Sequence, residues 1–355
     1  MMPSDPRSCR AVVCAGGGQV RLEDRPLRRL ERGELLLGLR VSGLCGTDIF
    51  KLTNDTAEPG AVLGHEVVGT VLEAGGGVTA FSEGDRVVVP HHVACGRCAL
   101  CARGSETLCP VFRENLLDPG GFAERWIVRE RAVRSAARKL PDALRDEAAV
   151  FLEPAACVLR GVHRANLPPE GAAGGACAVI LGAGSMGLLH CAVLAAVRPD
   201  AIVLAVDTVP ERLELAERLG ARAISAGDRD ALAAAVRAAT GGLGADAVFD
   251  TVGGAEALEG AFAVLREGGT AVLFAHAAAS ERSHFELNHL FKSERRVVGT
   301  YSGSLAEQSA VFDLMAAGKL DPSALVTHRL PLDRFEEGLA LCRARRALKV
   351  LYVPA

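Results

Sequence analysis

Four thiols fall within one short stretch, as Cys95-x2-Cys98-x2-Cys101-x7-Cys109. Four thiolates at this spacing suit one tetrahedral zinc ion with every position filled, a metal that holds a lobe rather than catalyses. Arg97 and Arg103, enclosed by the cysteines, read as solvated. An iron–sulfur cluster is the near alternative, since Cys-x2-Cys-x2-Cys and Cys109-Pro110 both occur in such sites. That arrangement wants three residues before its last cysteine, and here there are seven. Upstream, Gly43-Leu44-Cys45-Gly46-Thr47-Asp48 and Gly64-His65-Glu66 each set a metal-capable side chain beside glycine, where backbone and ligand come close. Taken singly, Cys45 also reads as a buried apolar residue and His65 as a satisfied core histidine. Glu153 stands between apolar residues and before Pro154. Buried, it needs a metal or an arginine; exposed, it is an ordinary helix acid.

A second chemistry is written at Gly182-x-Gly184-x-x-Gly187. The short apolar run Ala178 to Leu181 precedes it, a helical run to Val197 follows, and a second strand-like run ends in Asp207. This layout binds a dinucleotide. Gly182 permits the tight turn, Gly184 lets the backbone approach the pyrophosphate, and Gly187 lets helix pack on strand. Ser185 and Met186 lie inside the loop, where the free N–H groups of the helix start would meet phosphate. Asp207 would accept hydrogen bonds from the adenosine ribose and repel a 2′-phosphate, which predicts NAD over NADP. Arg212, five positions on, is the complication, because an arginine there covers the adenine or reaches a phosphate. A membrane span over 176–197 is excluded by three glycines at its centre, and a kinase-type loop by the absence of a nearby lysine.

These groups need elements to position them. Residues 11–90 read as short strands (35–41, 67–72, 87–89) between Gly- and Asp-bearing turns, suggesting a small barrel. A helix is expected to start near 142, and another over 159–166. From Cys177 onward β and α alternate, with strands expected at 178–181, 202–206, 222–225, 246–250, 270–275 and 296–299. Helices are expected at 187–197, 210–219, 229–239 and 255–265. Strands joined by helical crossovers make a doubly wound parallel sheet. Thr251 and Ala275 fall at or past strand ends, where ligands sit in such sheets. A helix over 306–317 and a strand-like tail, 349–353, read as a return to the first domain. Phe112, Phe122 and Tyr301 are open between pocket and packing roles.

The chain has 355 residues, 49% of them apolar and 23% charged, which allows about two domains with a substantial core. A net charge of −3 gives no reason to expect nucleic acid or an anionic membrane. Eleven cysteines without a secretion-signal layout point to metal and core packing in a cytoplasmic protein rather than to disulfides.

The order Cys-Gly-Thr-Asp, Gly-His-Glu, four-cysteine lobe, Glu-Pro, GxGxxG and Asp resembles the zinc-dependent alcohol dehydrogenases of the medium-chain dehydrogenase/reductase superfamily, over nearly the whole chain. Glu153-Pro154-Ala155-Ala156 resembles their polyol (sorbitol-type) and threonine dehydrogenase branches, where an acid replaces a third cysteine ligand. The resemblance implies an α/β chain with a GroES-like β-barrel catalytic domain (1–157, lobe about 91–112), a Rossmann coenzyme domain (158–299) and a C-terminal return (300–355). It implies two zinc ions per chain. Cys45 and His65 would bind the catalytic one, completed by Glu66 and Glu153 directly or through water. Asp48 would orient His65, and Thr47 would meet the reacting oxygen. The activity implied is hydride transfer between NAD and a secondary alcohol or its ketone, the alcohol being polyol-, cyclitol- or amino-alcohol-like. A homodimer or homotetramer is implied as well. Phe50 departs from the pattern, standing where many relatives place a proton-relay histidine.

Zinc-poor enone or quinone reductases and a non-catalytic dinucleotide-binding protein are the rival readings. Neither needs Cys45, His65 and Glu153 together. A zinc finger for nucleic acid fails on charge and on the lack of a basic helix beside the cysteines.

Overall fold

Valine-rich runs between glycine turns favour pleated strands, because branched side chains lose little on a half-buried pleat. The structure, a computed structural model, describes residues 8–226, 229–278, 280–284 and 286–355. It divides into two units, Met1–Pro154 with Ser304–Ala355, and Ala155–Gly303. The divisions expected after 157 and 299 thus stand against changes after 154 and 303.

In the first unit a sheet runs in the order Val326–Pro331, Lys349–Val353, Leu35–Gly43, Glu66–Ala74, Arg86–Pro90, Arg138–Lys139. Arg125–Val128 also pairs with Leu35–Gly43, and Ser8–Gly16 forms an antiparallel hairpin with Gln19–Pro26. Register matters most at Gly43, which lies opposite Glu66 on one side and Leu351 on the other. Trp126, Phe122 and Tyr352 fill the core, and the Tyr352 hydroxyl is satisfied by donating to the Phe335 carbonyl at 2.9 Å. Phe112 and Phe122 are therefore packing residues, whereas Tyr301 of the other unit is exposed.

The helix expectations near Glu153 need correction. A single turn, Asp146–Ala149, is followed by a continuous helix Leu152–Ala165 that runs through Glu153 and Pro154. Proline is tolerated there because a first-turn N–H has no intrahelical partner to lose.

In the second unit six parallel strands lie in the order Arg222–Ser225, Ile202–Asp207, Cys177–Leu181, Ala245–Asp250, Leu265–Leu273, Arg296–Gly299. Strand order reverses between Cys177–Leu181 and Ala245–Asp250, and the glycine turn sits at that switch point, where ligands bind in open parallel sheets. Both strands are buried throughout; Cys177–Leu181 is an unbroken apolar run, whereas Ala245–Asp250 also buries Asp246 and Asp250, each accepting backbone N–H groups. The helix after the turn starts at Ser185, two residues earlier than the pattern suggested. Among the described residues no helix is long and apolar enough to cross a membrane.

His190 on that helix is wholly buried, its ring against Phe274 at 4.6 Å and Phe249 at 5.1 Å. Nδ1 donates to the Met186 carbonyl at 2.7 Å, while Nε2 has no partner among the described residues. Burial pushes the His190 pKa down to about 4. Between pH 6.5 and 4 the unfolded chain therefore binds a proton that the folded chain refuses, and stability falls as pH falls. This group should withdraw about 3 kcal/mol across that window. His190→Leu should flatten the acid limb of stability, measured by urea unfolding at stepped pH. An unchanged limb would show that His190 is not its source.

Candidate active site

The helix Gly46–Thr53 begins at Cys45, whose sulfur accepts the Thr47 N–H at 3.5 Å. Asp48 Oδ2 accepts the Cys45 N–H at 3.2 Å, so Cys-x-x-Asp works as a capping box that fixes both side chains at one helix end. The other oxygen, Asp48 Oδ1, lies 3.3 Å from His65 Nδ1. With Nδ1 turned to the carboxylate, Nε2 is the ring nitrogen left for a ligand. Burial opposes charge on His65, yet Asp48 and Cys45 outweigh it and hold its pKa well above the ordinary value. Burial likewise opposes charge on Asp48, and His65 overcomes it, keeping the carboxyl below its usual range. A metal entering here must therefore displace a proton from His65.

Cys45, His65 and Glu66 present ligand atoms that all lie within 4.8 Å of one another. Thiolate, imidazole and carboxylate together suit zinc. Glu66 Oε1 is buried with no partner among the described residues, a state that a cation would relieve. Glu66 Oε2 is paired with the ammonium of Lys349, a buried residue of the C-terminal strand. Burial opposes the charge on Lys349, but Glu66, Cys45 and Glu153 more than offset it and raise its pKa. Glu153 is half-buried and acts on Lys349, but is not among the three clustered donors.

Cys95, Cys98, Cys101 and Cys109 also converge, with ligand atoms within 4.8 Å of one another. Backbone N–H groups of Arg97 and Cys98 lower the Cys95 pKa to about 6, and burial pushes Cys101 up to about 12. Such a split favours one ready thiolate, the remaining protons leaving when metal binds.

In the second unit Gly182 has φ +87°, and a Cβ on Gly187 would overlap the Gly182 carbonyl. Nothing lies within 4 Å of a Cβ placed on Gly184, at the cap of the Ser185–Val197 helix, leaving the approach to its N–H groups open. Asp207 Oδ2 accepts from Ala183 N at 2.7 Å and Oδ1 from Val209 N at 2.9 Å. Arg212 does not simply lead away on the next helix. Its Nη1 returns to 3.6 Å from Asp207 Oδ2. The Thr251 hydroxyl donates to the Leu181 carbonyl at 2.8 Å, with the Gly182 carbonyl at 3.1 Å, so its hydrogen holds the glycine turn. Ala275 N bonds the Asp250 carbonyl at 3.0 Å just past its strand.

Sequence reasoning passed over His91 and His92. The His91 ring lies 4.7 Å from His65 and 3.5 Å from His92, which in turn meets Phe112 at 5.0 Å. Burial, then the neighbouring histidines, hold His91 well below its usual pKa; burial and His65 bring His92 to about 3. Both rings are thus neutral near pH 7, and His91 Nδ1 is buried without a partner among the described residues. The pair stands three residues before the first lobe cysteine, and no period or motif spacing marks it.

Comparison with known proteins gives matches along most of the chain. Residues 31–140 match the alcohol dehydrogenase GroES-like domain, and residues 187–317 the zinc-binding dehydrogenase domain. Sorbitol dehydrogenase of Bacillus subtilis is 28% identical, covering 98% of both chains. D-altritol 5-dehydrogenase of Agrobacterium fabrum is 32% identical over 91% of this chain and 92% of its own. The solved alcohol dehydrogenase from Thermus sp. ATN1 superposes with a TM-score of 0.84 at 32% identity, covering 98% of this chain and 100% of that one.

Proposed function

The chain belongs to the zinc-dependent alcohol dehydrogenases of the medium-chain dehydrogenase/reductase superfamily, and from that premise we propose that it moves a hydride between a polyol-like secondary alcohol and NAD. The observation that carries this reading is the buried convergence of Cys45, His65 and Glu66, with Asp48 behind His65. These three residues would hold a zinc ion, with Glu153 close by, and the four lobe cysteines a structural one. Bound zinc supplies Lewis acidity that eases loss of a hydroxyl proton near neutral pH, and NAD supplies the hydride acceptor.

The remaining work falls to the chain. Asp48 fixes the His65 ring and tautomer; the capping box fixes Cys45 against it. Thr47, half-buried in the first helical turn, offers a hydroxyl to the reacting oxygen. Phe50 is 39% exposed and carries no proton, so it supports no relay at that position. The glycine turn and helix start would receive the pyrophosphate, and Asp207 the ribose.

Substrate class is supported from two sides. Sorbitol and altritol, on which the named relatives act, are both polyhydroxylated. The neutral His91 and His92 leave ring nitrogens beside the metal residues, and an unpaired buried nitrogen favours a ligand with a second hydroxyl. Assaying polyols, cyclitols, amino alcohols and simple secondary alcohols by the absorbance of reduced nicotinamide should give the highest kcat/KM with a polyol. Turnover confined to simple mono-alcohols would refute the polyol reading, and no turnover of any alcohol would refute the dehydrogenase reading.

A dimer or larger homo-oligomer belongs to the same proposal. Arg296–Gly299 is an open edge of the six-stranded sheet, and Leu287 and Phe291 on the preceding helix are each 78% exposed. Such an edge with adjoining apolar side chains is what a second copy would cover. A cytoplasmic location belongs to the same proposal, because the five cysteines placed at the two zinc sites must stay reduced to bind metal.

A further inference from the structure

Lys349 and Glu66 are 3% and 1% exposed, and they reach each other across 283 residues of chain. Gly43 lies between them, where a Cβ would overlap Glu66 Oε2 and crowd the Lys349 stem. The pair is thus built into the sheet, since only glycine at this register position leaves room for it. The Phe151 ring flanks the ammonium, with Nζ 5.3 Å from its centroid. Two buried charges are costly unless each is well paired, and the pairing here is uneven. Oε2 is taken by Lys349, whereas Oε1 is buried without a partner among the described residues.

From this division of the carboxylate we infer that Lys349 is a positioning residue, holding Glu66 so that it ligates the metal through Oε1 alone. The inference rests on the assignment of Cys45, His65 and Glu66 as a metal centre. With Oε2 held away, Glu66 supplies one ligand atom, and three protein ligands leave one tetrahedral position open, as a catalytic site requires. Without Lys349 both carboxylate oxygens can turn to the metal, and the open position is lost. Lys349 also sets a cation against the negative charge of Glu66, Cys45 and Glu153.

Cobalt(II) substituted at this centre reports coordination number independently of turnover, because four-coordinate cobalt absorbs visible light more strongly than five- or six-coordinate cobalt. The signal is the difference spectrum against Cys45→Ser, which removes the contribution of the four-thiolate site. In folded Lys349→Met the visible bands should weaken, and transfer of cobalt to a chelator should slow, because the metal gains an oxygen ligand and loses a nearby cation. Unchanged bands and an unchanged transfer rate in that variant would overturn the inference. Should Lys349→Met fail to fold because Glu66 is stranded, the double variant E66A/K349M removes both charges together. It should then lose cobalt at least about 10-fold faster than wild type, since a ligand has gone. A wild-type rate in the double variant would overturn ligation by Glu66, and the role of Lys349 with it. Absence of any Cys45-dependent cobalt signal in the wild-type protein would instead overturn the metal-centre reading itself.

Discussion

His65→Ala is expected to lower turnover by more than about 100-fold while the fold and the four-cysteine metal stay in place. Losing a residue that merely orients a metal-bound histidine costs roughly 10- to 100-fold, so losing the histidine itself must exceed that range. Asp48→Asn gives the internal comparison, because Asp48 lies 3.3 Å from His65 Nδ1 and accepts the Cys45 N–H, so it acts only through the two ligands that it holds. The fold should survive because His65 is one polar side chain at the head of a strand whose core contacts come from Val67, Val68 and Val71. Removing it also strands Asp48 as a buried carboxylate without its ring partner, so some loss of stability is expected. Metal analysis should fall from about two zinc ions per chain to about one. Retention of both ions with full activity in His65→Ala would remove His65 from the site.

Wild-type protein is expected to favour NAD over NADP by roughly 100-fold in kcat/KM, equivalent to about 2.7 kcal/mol. Asp207 is the expected cause. Its carboxylate is buried at the end of the second strand and anchored by the Ala183 and Val209 N–H groups, so it cannot swing away from an incoming ribose. A 2′-phosphate there would meet a fixed like charge in a poorly solvated crevice, a juxtaposition costing several kcal/mol. Arg212 tempers the effect. At 3.6 Å from Oδ2 it partly neutralises the carboxylate, and it stands close enough to meet a phosphate once that partner is gone. Asp207→Ser should therefore bring the two cofactors within about 10-fold of each other, chiefly by improving NADP. Serine can still accept one of the two backbone N–H groups, which limits distortion of the glycine turn. Both cofactors should be measured with wild type, Asp207→Ser and the double variant with Arg212→Ala. A wild-type preference for NADP, or an unchanged ratio in Asp207→Ser, would exclude Asp207 as the determinant.

Much of this molecule is written locally. Gly182, Gly184 and Gly187 declare a strand–turn–helix because each answers a steric demand within six residues of chain. The four lobe cysteines converge because their spacing lets one short loop wrap a single point, and Cys45-x-x-Asp48 is a helix cap whatever lies around it. The six strands of the parallel sheet were equally legible, because short runs rich in Ala, Val, Ile and Leu alternate with helical segments from Cys177 onward. The exceptions had local causes too, as at Pro154, where a first-turn proline continues a helix that the sequence pattern would have interrupted. Other features depend on strand register and on the packing of segments far apart in the chain. Lys349 heads a strand-like tail that the sequence marks only as a return to the first domain, until Lys349–Val353 pairs with Leu35–Gly43 and carries it to Glu66. His91 carries no signal in the sequence until the same sheet brings its ring to His65, and nothing short-range marks the return of Arg212 to Asp207. Sequence alone could single out residues whose chemistry suits a metal or a dinucleotide, because that depends on side-chain type and short spacing. Which neighbours hold, neutralise or crowd them was decided by the tertiary structure, because a one-residue slip in strand register turns every side chain to the opposite face.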